Sequence, residues 1–266
     1  MKNPVKHRRL VGGTIACALL AAPLLAGCDG NSDSSATKPP ATAGTSDPKT
    51  TLAAATPDRT QASYAFTAND QQSKYVGQVD PAKKAGYITS FAEAGPLGTG
   101  TANVLVTESD AYLKVSFTKA PPTLKLPTQF SKVDPTKIKD KGLSAALNDH
   151  DGDPMNLAAL VAAASAVKVN GTSYTGTVDL GKVPDASGMN PKRLAALADH
   201  AKAVPFTAKL DSSNRITSFE LAVPDAPNFP GSNDHITLNY QPVHLPTAGA
   251  ANGNPAVLYQ LFNLIG

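Results

Sequence analysis

The run Thr101-Ala102-Asn103-Val104-Leu105-Val106-Thr107 leads through Glu108-Ser109-Asp110 into Ala111-Tyr112-Leu113-Lys114-Val115-Ser116-Phe117. In the second run Ala111, Leu113 and Val115 alternate with Tyr112, Lys114 and Ser116. That is the period of a strand with one face in a core. A three-residue polar turn joins the two runs as an antiparallel hairpin.

The same grammar extends upstream. Tyr64, Phe66 and Ala68 share one strand face, Tyr75-Val76-Gly77-Gln78-Val79 follows, and then comes Gly86-Tyr87-Ile88-Thr89-Ser90-Phe91. Turn signals at Asp80-Pro81 and Glu93-Ala94-Gly95-Pro96 separate them, so the stretch reads as an antiparallel meander. Downstream the period changes. A helix over 137–147 is weakened by Gly142. A better one runs from Pro154 to Ala164, with Asp153 as N-cap and Leu157, Leu160, Val161 and Ala164 in one stripe. Asn170-Gly171 between Val167-Lys168-Val169 and Thr172-Ser173-Tyr174-Thr175 predicts a type I′ hairpin. A third helix spans Pro191 to Ala203, capped by Asn190, with Leu194, Leu197 and Ala201 as its stripe. Strands follow over Val204–Leu210, Arg215–Val223 and His235–Tyr240. Ala256 to Ile265 packs on the body as helix or strand. The order predicts an α+β domain, a mostly antiparallel sheet with helices set on one face.

The ends set the location. Lys2, Lys6, His7, Arg8 and Arg9 precede an apolar run from Leu10 to Ala26, which closes on Leu25-Ala26-Gly27-Cys28. A basic head, a short apolar core and small residues before the cut describe a signal peptide. The last four residues resemble the bacterial lipobox, which implies that Cys28 carries the lipid and becomes the new N-terminus. Residues 1–27 are then signal peptide. Residues 28–60, rich in Ser, Thr, Pro and Gly, read as a disordered tether. Its 32 residues from Asp29 to Thr60 span roughly 30 Å as a coil. Residues 61–266 form a single domain, and the expected location is the outer face of the cell membrane.

Composition excludes several classes. The 266 residues carry a formal charge of +3, with 41% hydrophobic and 17% charged residues. Removing residues 1–27 deletes four basic residues and no acid, which takes the charge to −1. The mature chain therefore offers no electrostatic case for nucleic acid or acidic headgroups. Cys17 leaves with the signal peptide, so neither a disulfide nor a cysteine metal site is expected. Asp149-His150-Asp151-Gly152-Asp153 fails the calcium-loop pattern, with Pro154 at its sixth position and Leu160 at its twelfth. It reads as a loop and helix cap. There is no Gly-x-Ser-x-Gly elbow, and the Gly-rich Gly95 to Gly100 lacks the Lys and helix of a phosphate loop. No catalytic residue, metal or cofactor is expected.

Ala111-Tyr112-Leu113-Lys114-Val115, Phe130-Ser131-Lys132-Val133-Asp134-Pro135, Tyr174-Thr175-Gly176-Thr177-Val178-Asp179-Leu180 and Val204 to Asp211, with Arg215-Ile216 after it, together look familiar. In this order they resemble the actinobacterial LppX/LprG-type lipoproteins, which share a fold with the periplasmic lipoprotein carrier LolA. The resemblance runs from the lipobox to about Tyr240 and leaves 245–266 outside it. It implies a curved antiparallel half-barrel with helices on its concave face, and an apolar cavity that carries lipids or glycolipids. Phe66, Val104, Val106, Leu113, Val115, Leu157, Leu160, Leu194, Leu197, Phe219, Leu221 and Leu238 are the candidate lining. The expected partners are a lipid or glycolipid, the membrane through Cys28 and an envelope transporter, with the protein a monomer. The alternative is a structural or protein-interaction lipoprotein in which the same residues fill a core.

Overall fold

The computed structural model describes residues 47–69, 73–148, 152–183 and 191–265. Cys28, the expected signal peptide and the expected tether up to residue 46 lie outside the described residues, as do Asn190 and most of the 149–153 acidic run. One compact unit spans Gly44–Gly266.

The fold is α+β, built on one large, curved, unclosed antiparallel sheet of eleven strands. In chain order these are β1 (Tyr64–Asn69), β2 (Ser73–Asp80), β3 (Ala85–Glu93), β4 (Thr99–Val106), β5 (Ala111–Phe117), β6 (Ser131–Val133), β7 (Ala164–Asn170), β8 (Ser173–Val178), β9 (Val204–Leu210), β10 (Ile216–Val223) and β11 (Ser232–Tyr240). They are ordered β6-β5-β4-β3-β2-β1-β11-β10-β9-β8-β7. Two meanders therefore meet where β1 pairs with β11. The helices are α1 (Pro48–Ala54), α2 (Lys141–Leu147), α3 (Leu157–Ala162), α4 (Pro191–Leu197) and α5 (Pro255–Ile265).

Register explains why one face is apolar. Leu113, Val104, Ile88, Gly77, Phe66 and Leu238 are successive cross-strand partners, so they line up on one side of the sheet. One residue along, Lys114, Asn103, Thr89, Val76, Thr67 and Thr237 form the opposite row, polar except for the exposed Val76. A one-residue slip would exchange the two rows, which is why the register is strongly specified.

Two glycines in the apolar layer sit directly opposite phenylalanines. Gly77 pairs with Phe66, and Gly176 pairs with Phe206. A Cβ on Gly77 would overlap the Phe66 ring edge and lie 2.9 Å from the Tyr87 carbonyl oxygen. A Cβ on Gly176 would lie 2.7 Å from both Phe206 Cε1 and the Ser165 carbonyl oxygen. Each ring lies over bare backbone, which is how a curved sheet accommodates a large side chain on a crowded face.

The edges are covered in different ways. At β7 the chain bulges between Ser165 and Lys168, and α1 packs alongside. At β6, Ser131 bridges Asn252, the Gly253 N–H donates to the Phe130 carbonyl, and the Tyr259 hydroxyl accepts from the Asp134 N–H at 2.7 Å. The C-terminal segment thus shields the short edge strand. This is the kind of protection that exposed edges need.

Several expectations shift. Helix α1 and its cap Asp47 lie inside the 28–60 stretch read as a tether. Asp47 caps α1 through the Thr50 N–H, Pro48 fills its first turn, and Leu52 and Ala55 are fully buried. Helix α3 starts at Leu157 rather than Pro154, because Asn156 adopts a left-handed conformation just before it. Asp153 still caps it, accepting from the N–H groups of Leu157 and Ala158 at 3.0 and 2.8 Å. The expected 137–147 helix is reduced to α2 after a separate 3₁₀ turn at Pro135–Lys137. The 191–203 helix becomes α4 followed by a 3₁₀ stretch at Ala198–Ala203, with Ala198 at φ 49°. The β7–β8 turn is centred on Gly171-Thr172, because Asn170 pairs with Ser173. Of the turn residues only Gly171 has a positive φ, so the turn fits type II′ and not type I′. The last segment is the helix α5.

Candidate functional site

The twelve expected lining residues are brought together. Phe66 lies on β1, Val104 and Val106 on β4, Leu113 and Val115 on β5, Phe219 and Leu221 on β10, and Leu238 on β11. Leu157 and Leu160 lie on α3, and Leu194 and Leu197 on α4. Eleven are buried in one continuous cluster, and Leu194 packs half-buried against it. Phe206 and Phe219 stack with ring centroids 5.2 Å apart, extending the layer across the β9–β10 half.

A crevice between Val79, Gly86, Ile88 and Val106 on one side and Ala146, Gly152 and Pro154 on the other measures about 10 Å³, room for one water. Of the twelve, only Val106 reaches it. A second cleft of about 270 Å³ opens between Lys125–Gln129 and Asn252–Val257. None of the twelve lines it.

Polar ties fasten the helical side to the sheet. The Tyr64 hydroxyl donates to the Gly152 carbonyl at 2.6 Å in a buried setting, just before the Asp153 cap of α3. At the other end of α3, Lys49 Nζ donates to the carbonyls of Ala162 and Ala164 at 2.8 and 2.7 Å. A cation at a helix C-terminus satisfies its last carbonyls and complements its dipole. Arg193 is nearly buried on α4, and its Nη2 donates to the Pro230 carbonyl and to Ser232 Oγ. Ser232 in turn donates to Asp234.

Beside Tyr64, the Tyr240 ring lies 5.6 Å away and the Arg215 guanidinium stacks 4.1 Å above it. Burial pushes the Tyr240 hydroxyl up to about 12, and Arg215 pulls the other way. Arg215 forks onto Asp211 Oδ2 through Nε and Nη2, at 2.9 and 2.7 Å. Partial burial works to raise the Asp211 pKa, but the Arg215 and Ser213 hydrogen bonds outweigh it and hold the carboxyl below its usual range. None of these groups is arranged as a nucleophile with a base. Among the described residues no group of three His, Cys, Asp or Glu could hold a metal ion. Among them, too, no helix is long and apolar enough to cross a membrane.

Sequence reasoning missed a repeated device. Val79-Asp80-Pro81-Ala82-Lys83, Val133-Asp134-Pro135-Thr136-Lys137 and Val178-Asp179-Leu180-Gly181-Lys182 each end a strand in a 3₁₀ turn. In each, the Val is buried, the Asp caps the turn, and the Lys pairs with that Asp at 2.6, 3.7 and 3.6 Å respectively. Tyr75 to Lys83 and Tyr174 to Lys182 share the longer pattern Tyr-x-Gly-x-Val-Asp-x-x-Lys. Its glycine is the one covered by phenylalanine in both places. Aligning the chain against itself would have found it. The chain matches no family model and no curated protein.

Proposed function

We propose that the protein is an exported lipoprotein, held at the outer face of the cell membrane through lipid on Cys28, that takes the acyl chains of a lipid or glycolipid between its sheet and its helices. It would resemble LppX/LprG-type proteins and LolA in using a half-barrel with helices on the concave face. The observation that supports this reading is the unclosed sheet, whose apolar row shares one buried cluster with residues of helices only six or seven residues long.

Magnitudes favour exchange of cover for ligand. Helix α3 buries Leu157, Leu160 and Val161. Uncovering three such side chains costs about 5–9 kcal/mol. One acyl chain of about 15 methylenes offers on the order of 12 kcal/mol when it is taken up from water. A lipid can therefore offset displacement of a short helix. The reading calls on no catalytic residue and no cofactor.

The test is mass spectrometry of organic extracts from the 44–266 unit, purified without detergent from a related host. Stoichiometric lipid supports the carrier. An empty protein that also fails to take up fluorescent acyl probes overturns it. The second reading, an interaction lipoprotein with a filled core, is favoured by the 10 Å³ crevice and would follow from that result.

A further inference from the structure

We infer that the outward face of β5 and β6, with the loop between them, is a docking surface for an anionic bilayer. Net charge hides it. From Asp47 to the end, acidic and basic residues balance. Yet Ala111 to Lys141 holds seven lysines (114, 119, 125, 132, 137, 139 and 141) against Asp134 and Asp140. That segment carries +5, and the rest of the folded unit carries −5.

Lys114, Lys119, Lys125 and Lys132 belong to β5, β6 and the loop between them. Register puts Lys114 and Lys132 on the outward side of β5 and β6, since Leu113 and Val133 face the core. Lys132 is paired to Asp110 and Lys137 to Asp134. Lys114, Lys119 and Lys125 make no ion pair with a described residue. The loop between the strands reads Pro121-Pro122-Thr123-Leu124-Lys125-Leu126-Pro127. Its prolines are exposed or half-exposed and its two leucines half-buried.

Leu126 packs against the core, which leaves Lys125 beside the half-exposed Leu124 on a proline-stiffened loop, and a cation next to an apolar side chain suits the headgroup–acyl boundary. An acidic protein would need only the charge. Geometry is compatible with the proposed anchor. The sheet, eleven strands wide, spans about 50 Å. The chain from Cys28 to Asp47 could extend to roughly 65 Å. Contact through β5 and β6 is therefore within reach of an anchor at Cys28. The docking surface does not depend on the lipid-cavity reading.

The experiment is co-sedimentation of the 44–266 unit, without the Cys28 anchor, with vesicles of phosphatidylcholine alone or mixed equally with phosphatidylglycerol. The expected result is binding only to the anionic vesicles, weakening as salt rises. Lys114→Gln, Lys119→Gln and Lys125→Gln together should weaken it about 100-fold. Lys168→Gln with Lys209→Gln, on the other half of the sheet, should change it little. Circular dichroism checks that each variant is folded. Absence of binding to anionic vesicles, equal binding to neutral ones, or an unaffected triple variant overturns the inference. Binding to polyglutamate without vesicle binding also overturns it, in favour of an acidic protein partner.

Discussion

Gly77→Ala tests the physical reason for the apolar layer. The added methyl would overlap the Phe66 ring, and the Tyr87 carbonyl oxygen 2.9 Å away blocks retreat on the other side. Phe66 is only 2% exposed and lies 6.4 Å from the Tyr64 ring, so it cannot swing into solvent. Overpacking at such a site costs about 3 kcal/mol, the upper part of the usual range. For a unit of this size that lowers Tm by about 6–12 °C. Urea denaturation followed by circular dichroism gives the free energy directly. Gly142→Ala is the internal contrast. It lies in α2 with nothing closer than Asp140 Oδ1 at 3.6 Å, and it should stabilise by about 1 kcal/mol. Adding Phe66→Leu to Gly77→Ala should cost less than the sum of the two single changes, because the clash is removed with the ring. A Gly77→Ala protein as stable as its parent would refute the packing argument.

Three further outcomes follow from the same structure. Tyr64→Phe removes the hydroxyl from the buried Gly152 carbonyl and should cost about 1–3 kcal/mol, with amide exchange accelerated in α3 more than in β9 and β10. Asp211 has a depressed pKa, so its contribution to stability is complete above the unfolded value of about 3.9 and is lost as pH falls through the lower folded value. Asp211→Asn should therefore flatten the acid side of the stability–pH curve, and an unchanged profile would remove Asp211 from the account. Cys28→Ala should let a high-salt wash strip the protein from membranes in cell fractionation while the parent stays bound, and salt-resistant association of the variant would contradict lipid attachment there.

The strands were legible where alternation survives, as it does in β1, β2, β5 and β9. Ala111, Leu113 and Val115 all point where period two sends them. The helices were harder. Propensity and stripe located α3 and α4, but Asn156 and Ala198 take positive φ and cut both short. Helix α1 was invisible because Leu52 is its one large buried residue, and its support comes from Lys49 reaching residues more than a hundred positions away. The apolar layer could be named from sequence, since core and lining need the same side chains. Whether space remained inside it could not, because that depends on how closely α2 and α3 approach. The charged margin was missed for a simpler reason. Net charge averages over the chain, and a +5 segment disappears against −5 elsewhere.

The most direct measurement of the central claim is photo-crosslinking with a diazirine fatty acid, followed by peptide mapping. The account predicts label on the peptides of β1, β4 and β10, at or beside Phe66, Val104 and Phe219. Exclusion of label from those peptides, with modification confined to exposed loops, would contradict acyl burial between sheet and helices.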